Sequence, residues 1–262
     1  MGKAKQRCGL HMRVQLWSSG GGTQSAAIAA LIVRGDLPKP DLAVIADTGM
    51  EQGSTWEYMD EVISPALANV GVILHRASAR EYAKVGLYGG VNNGTLLIPA
   101  FTNQRGEPGK MPGYCSSEWK RRVVQRFARS RGITAADVWL GISTDELRRV
   151  PAATTGRWRN RCPLVELRMN RGDCVALVES MGWPTPPRSS CWMCPNHTQA
   201  EWREINGRKK DWDAAVAFDK AIRRRDPDVY VHSDCKPLDE VDLSDQNGVL
   251  FGHECDSGHC FV

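Results

Sequence analysis

The sequence predicts an α/β protein built on a doubly wound, mainly parallel sheet, and three observations carry that expectation. Short apolar runs bounded by turn residues recur at 14–17, 41–46, 71–75 and 137–141, which is how strands buried on both faces read. Helix-forming segments separate the first three, and a β-α-β-α-β order argues for a parallel sheet covered on both sides. Two of the strand ends open into polar turns, Gly20-Gly-Gly22 and Asp47-Thr-Gly49. Ligands of open α/β sheets bind beyond such ends.

At 262 residues the chain is long enough for one sizeable core, or for a core plus a small appendage. The organisation expected is a flexible tail over 1–12, a nucleotide-binding α/β domain over 13–150, and a cysteine-rich helical and irregular region over 151–262 packed on the same core. No run approaches the length of a membrane span, and the N-terminus lacks the apolar stretch of a signal peptide. A cytoplasmic protein with no membrane partner is therefore expected. The net charge of +4 is mild but unevenly spread. Lys120, Arg121, Arg122, Arg126, Arg129 and Arg131 crowd one segment, and Arg148, Arg149, Arg157, Arg159 and Arg161 follow. These are either solvated helix faces or the wall of a cleft for a polyanion, nucleotide or nucleic acid.

The first strand enters a turn made of Gly, Ser and Thr and leaves as an alanine-rich helix over 24–34. Gly20, Gly21 and Gly22 carry no Cβ, so the backbone can curl and approach an anion closely. The first amides of the helix then face that anion, and its dipole favours negative charge. Ser18, Ser19, Thr23 and Ser25 add hydroxyls, with Gln24 among them. No Lys follows as a Walker loop would require, and a third Rossmann glycine would fall at Ser25. Asp47 at the second strand end suits a ribose hydroxyl, a metal on phosphate, or the capping of its own turn.

Further along, Ser54 can cap a helix over 55–66, and 71–75 reads as the third strand. The Gly- and Pro-rich stretch 89–113 reads as a long loop with a strand at 95–101. A basic helix runs from 116 or 117 to 131 with Trp119, Val123, Val124 and Phe127 as its buried stripe. The strand at 137–141 ends in the polar turn Gly141-Ile-Ser-Thr-Asp-Glu146. Pro163-Leu-Val-Glu-Leu167 leads to helices over 171–181, 199–206 and 212–225.

Nine cysteines without an export signal point to a reducing compartment, where thiols serve metals or catalysis. Cys191-x-x-Cys194 puts two thiols within reach of one metal or of each other, and zinc, an iron–sulfur cluster or a redox dithiol all fit the spacing. Further ligands would come from Cys115, Cys162, Cys255 or Cys260, with His197, His253 and His259 near in sequence.

Taken together, these motifs resemble the phosphoadenosine phosphosulfate (PAPS) reductase-like branch of the adenine nucleotide alpha hydrolase superfamily, the PP-loop or N-type ATP pyrophosphatases. Gly20-Gly-Gly-Thr-Gln-Ser25 matches the family's Ser-Gly-Gly-x-Asp-Ser loop, with Gly20 in place of the first Ser and Gln24 in place of the Asp. Asp47-Thr48-Gly49 matches its Asp-Thr-Gly, and Gly141, Ile142 and Asp145 fall in its Gly-x-Arg-x-x-Glu/Asp segment. Pro163-Leu falls where the family has a Pro-Leu strand. Cys115 followed by Lys120 and Arg121 is similar to the Cys-Cys-x-x-x-Lys region, with one Cys here. Cys191-x-x-Cys194 matches the second cysteine pair, and Glu254-Cys255 resembles the reductases' Glu-Cys-Gly-x-His. The resemblance implies a Rossmann-like sheet of the HUP type binding ATP or a sulfonucleotide (PAPS or APS), with magnesium where the nucleotide is ATP. It implies a 4Fe-4S cluster, with zinc as the alternative, and Cys255 as nucleophile beside Lys120 and Arg121. It also implies a thiol reductant protein as partner, or a nucleic-acid substrate if the reaction is sulfur transfer.

Overall fold

A computed structural model describes residues 13–88, 96–103, 106, 108–150 and 155–244. The 1–12 tail, residue 95 of the expected loop strand, Cys255, Cys260, His253 and His259 lie outside them. Among the described residues no helix is long and apolar enough to cross a membrane.

The chain opens with β1 (Val14–Ser19), α1 (Thr23–Arg34) and β2 (Leu42–Asp47). A continuous helical segment follows, from α2 (Gly53–Tyr58) through a π-helical stretch Met59–Ile63 to α3 (Ser64–Asn69). Then come β3 (Leu74–Ser78), α4 (Ala79–Tyr82), β4 (Ala100–Thr102) and β5 (Gly109–Met111). The basic helix starts as a π-helical turn, Ser116–Arg121, and continues as α5 (Arg122–Ser130) into β6 (Ala136–Leu140). After β7 (Trp158–Arg161) the chain forms α6 (Pro163–Glu166), α7 (Arg171–Ser180), α8 (Gln199–Asn206), α9 (Lys209–Arg225) and β8 (Val229–Tyr230).

Five strands make one sheet in the order β3-β2-β1-β6-β7, every pair parallel. This is the doubly wound α/β sheet the sequence predicts. Alternation along the strands sends neighbours to opposite faces. Trp17, Ala43, Ile45 and Trp139 pack with α1, α3 and α7 on one side, and Leu16, Val44 and Val138 with Val123 and Phe127 of α5 on the other. Every residue from Thr23 to Ile32 is buried, which the small side chains of α1 permit. A second, antiparallel sheet pairs β5, β4 and β8.

Two expectations change, and one strand was not foreseen. The third strand begins at Leu74 rather than 71, because Gly71 (φ +79°) and Val72 close the preceding helix, the Val72 amide donating to the Leu67 carbonyl. Pro163-Leu starts a helix instead of a strand, since proline is pre-set for the first helical turn. β7, with the sequence Trp-Arg-Asn-Arg, has no apolar pattern to betray it; it is an edge strand, paired on one side only.

One buried carboxylate fastens the region after β8. Asp219 of α9 is fully buried and accepts from the Arg223 guanidinium (2.8 Å) and from the amides of Val231 (3.3 Å) and Leu238 (3.1 Å). Removing it would strand three donors and leave Arg223 unpaired. Asp219→Ala is expected to lower the unfolding free energy by about 3 kcal/mol in a denaturant titration.

Candidate functional site

At the carboxyl end of β1 the chain makes the tight turn that its glycines allow. Gly21 has φ +77°, and a Cβ there would lie 3.0 Å from the Thr55 methyl and 3.1 Å from the Ser189 hydroxyl. The Gly20 amide donates to Ser25 Oγ (2.7 Å), the Gly21 amide to Ser19 Oγ (3.3 Å), and the Ser189 hydroxyl to the Gly20 carbonyl. Gly22 is the N-cap of α1 and supplies no side-chain cap. The first amides of the helix are thus left without a capping side chain, the arrangement that receives anions.

A crevice of about 310 Å³ opens in front of this turn, between the ends of β1 and β6 where the strand order reverses direction. Ser18, Ser19, Gly20, Gly22, Thr23, Gln24 and Ser25 line it on one side, and Gly141 and Ile142 on another. Lys120 and Arg121 reach it from the basic helix, and Arg149, Arg171 and Arg188 from its rim. Gly141 lets the end of β6 pass close to α1: a Cβ there would lie 3.3 Å from both Gln24 Cβ and the Ser25 amide, tighter than ordinary contact.

Gln24 is built into the wall of this crevice. Its amide donates to Ser143 Oγ (3.3 Å) and to the Glu146 carboxylate (3.2 Å), whose other oxygen pairs with Arg149 (2.5 Å). Glu146 also lines the crevice. Asp47, Thr48, Gly49 and Asp145 do not line it. Asp47 accepts from the Gly49 amide (2.7 Å), and Asp145 accepts from the Arg171 amide (3.0 Å).

Thr48 turns instead toward the cysteines. Its hydroxyl contacts the Glu51 carboxylate and lies 3.7 Å from Cys191 Sγ. Glu51 and Cys191 face each other across an antiparallel bridge, with the Gln52 amide donating to the Ser190 carbonyl and the Trp192 amide to that of Met50. The Glu51 carboxylate is 3.9 Å from Cys191 Sγ and 3.4 Å from Lys120 Nζ. Burial pushes the Cys191 thiol up to about 12, with Glu51 adding to the rise and Lys120 and Thr48 opposing it. Burial alone would depress Lys120, but Glu51, and after it Cys191, Cys115 and Cys194, raise it above its ordinary value. Lys120 thus pairs with Glu51, which lies beside Cys191, and also lines the crevice.

Among the described residues no three His, Cys, Asp or Glu groups converge on a single metal ion. Cys162 lies elsewhere, capping α6 after β7, where burial and then Glu166 raise its thiol to about 11. Sequence reasoning missed Glu51, Arg188 and Ser189, and reached Glu146 only as the last residue of the Gly141–Glu146 turn. Glu51 stands four residues beyond Asp47, and Arg188-Ser189 directly precedes the Cys-x-x-Cys turn. That proximity was the available signal.

The cysteine turn is braced from behind. His197 Nε2 lies 2.9 Å from the Cys191 carbonyl, and its ring packs edge-on against Trp202 at 4.8 Å. Glu201 closes a capping box with Thr198, pairs with Arg188 and lies 3.7 Å from His197 Nδ1. Burial raises the Glu201 pKa, but the hydrogen bonds from His197 and the Thr198 amide and the charge of Arg188 outweigh it, leaving it at about 2.

No protein-family model matches the chain, and no curated protein matches it. Among solved structures, it is similar to the PAPS reductase from Candida auris in its phosphate complex, at 14% identity and a TM-score of 0.41, over 66% of this chain and 75% of that one. It is also similar to the U34-tRNA thiolase NcsA from Methanococcus maripaludis with its [4Fe-4S] cluster, at 13% identity and a TM-score of 0.44, over 85% of this chain and 70% of that one. The doubly wound sheet is established by its own strand order and register.

The Glu201 brace has a pH signature. A carboxylate depressed from 4.5 to about 2 stabilises the fold above its unfolded pKa, and that contribution is lost as pH falls through the folded value. In urea titrations, wild type is expected to exceed Glu201→Gln in stability at about pH 5, with the gap closing as pH drops toward about 2.

Proposed function

We propose that this chain is an adenine-nucleotide-dependent enzyme of sulfur chemistry, with nucleotide in the β1–β6 crevice and an iron–sulfur cluster on Cys115, Cys191 and Cys194. The observation that carries the reading is the double placement of Lys120. It lines the crevice together with the glycine turn and pairs with the buried Glu51, which lies beside Cys191. A phosphate or sulfate group on the turn would meet the first amides of α1 and the charges of Lys120 and Arg121. Bound to the thiols, an iron–sulfur cluster would supply an electron-accepting and sulfur-binding centre next to that anion.

In the reading closest to the sulfonucleotide reductases, the Cys255 thiolate attacks the sulfur of the bound phosphosulfate. The sulfur–oxygen bond breaks, the nucleotide leaves as its phosphate, and the sulfuryl group stays on the thiol. A dithiol protein then releases sulfite, and its two thiols become a disulfide. The charge of Lys120 and Arg121 favours both the thiolate and the leaving phosphate.

A second reading rests on Arg121, Arg149, Arg171 and Arg188, which line the crevice. Such a rim suits a nucleic-acid backbone, and the reaction is then ATP-dependent sulfur transfer to nucleic acid, with binding that weakens steeply with salt. Here Glu146 is the crevice carboxylate nearest to hand for magnesium on the phosphates.

Anaerobic purification tests the shared part. The protein is expected to be brown, with iron and acid-labile sulfide in matching amounts, and Cys191→Ser is expected to lose the colour. A colourless protein with stoichiometric zinc would overturn the reading in favour of a nucleotide-binding module with a structural metal. Sulfite release from PAPS or APS then supports the first reaction, and pyrophosphate release from ATP that depends on added RNA supports the second.

A further inference from the structure

Four consecutive residues, Arg188 to Cys191, join the glycine turn to the cysteine turn. The Ser189 hydroxyl donates to the Gly20 carbonyl. Ser190 accepts from the Gln52 amide through its carbonyl (3.1 Å) and from Gln52 Nε2 through its hydroxyl (2.7 Å). Cys191 opens the turn itself: its carbonyl accepts from the Cys194 amide (3.0 Å), and the Cys194 carbonyl accepts from the His197 amide (3.3 Å). The remaining member, Arg188, lines the crevice and pairs with Glu201.

Glu201 has two duties. One carboxylate oxygen meets Arg188 Nη1; the other accepts from the Thr198 amide (2.7 Å) and lies 3.7 Å from His197 Nδ1. His197 Nε2 in turn donates to the Cys191 carbonyl (2.9 Å), since a carbonyl oxygen can only accept. The Glu201 side chain is 13% exposed and that of His197 1%, so packing holds both as well as their bonds. Arg188 is different. Its side chain is 46% exposed, and among the described residues only its Nη1 bonds a protein group. A guanidinium carries five N–H donors in a rigid planar fork. Pinned at one corner by a mostly buried carboxylate, the fork keeps its other donors for an anion in the crevice. Less side-chain freedom is then lost when that anion binds.

Resting on the nucleotide reading above, we propose that Arg188 is an anion ligand of the crevice and that Glu201 is the residue that positions it. One carboxylate then fixes both the guanidinium that meets the anion and the turn that carries Cys191 and Cys194. The path runs from the anion through Arg188, Glu201 and His197 to the Cys191 carbonyl, and it does not pass through Lys120. An anion that orders Arg188 steadies the cysteine turn, and by linkage the effect is reciprocal.

Inorganic pyrophosphate is the probe, and equilibrium binding and amide hydrogen exchange are the readouts, on the full, anaerobically purified chain at neutral pH. Glu201→Gln retains the capping box, which glutamine serves as glutamate does, and Arg188→Gln alters a half-exposed side chain, so both variants are expected to fold. Arg188→Gln is expected to weaken pyrophosphate about tenfold, the scale of one charge-assisted hydrogen bond. Glu201→Gln is expected to weaken it about threefold, the scale of ordering one long side chain. In the Arg188→Gln background it is expected to add nothing. In wild type, saturating pyrophosphate is expected to slow exchange at the glycine turn and, by about fivefold, at the Cys194 and His197 amides. Arg188→Gln is expected to keep the first protection and lose the second. Either single variant binding as wild type does, or losses that add in the double variant, would overturn the proposal. So would a cysteine turn whose exchange is unchanged or faster in wild type with the anion bound, or one still protected in Arg188→Gln. A wild type that binds no pyrophosphate would remove the anion reading of the crevice, and the proposal with it.

Discussion

Lys120 keeps its charge in a largely enclosed place because the Glu51 carboxylate stands 3.4 Å away, itself almost fully buried. Neither group would be tolerated there alone, since an unpaired buried charge costs several kcal/mol, about 3–5 when one partner of such a pair is removed. The pair ties three separate parts of the chain together. Glu51 follows β2, Lys120 belongs to the π-helical turn ahead of α5, and Cys191 is bridged to Glu51 through the backbone. The walls of the crevice and the position of the thiols both follow from that junction.

The parallel sheet supplies the frame for it. Pairing of β1 with β2 and β6 brings the glycine turn, the turn at Asp47–Gly49 and the turn at Gly141 to one edge. The structure then divides labour among the three. The glycine and Gly141 turns face the crevice, while Thr48 faces Glu51 and Cys191. In the proposed function the anion and the thiols are served by opposite sides of Lys120, which makes its charge the shared element of both.

Much of this was readable in the sequence, for reasons that differ by element. The apolar run Leu42–Asp47 and the alanine-rich α1 are buried on all sides, so their composition is dictated by the core. The glycine turn was visible because no other residue type tolerates the φ of Gly21 at such close quarters. β7 was invisible, because an edge strand with alternating arginines carries no buried pattern. The role of Glu146 was hidden for another reason: its link to Gln24 spans 122 positions, and only the β1–β6 pairing brings the two together. Cys162 reads as a ligand by residue type alone, yet the fold puts it at the end of β7, next to Glu166.

The most direct test of the junction is to titrate the anaerobic, iron-loaded protein with nucleotide while following its visible and electron paramagnetic resonance spectra. If Lys120 serves both sites, saturating nucleotide changes the cluster spectrum of wild type, and Lys120→Met keeps the cluster but loses the response. A wild-type spectrum that stays unchanged while equilibrium dialysis records bound nucleotide would contradict the account.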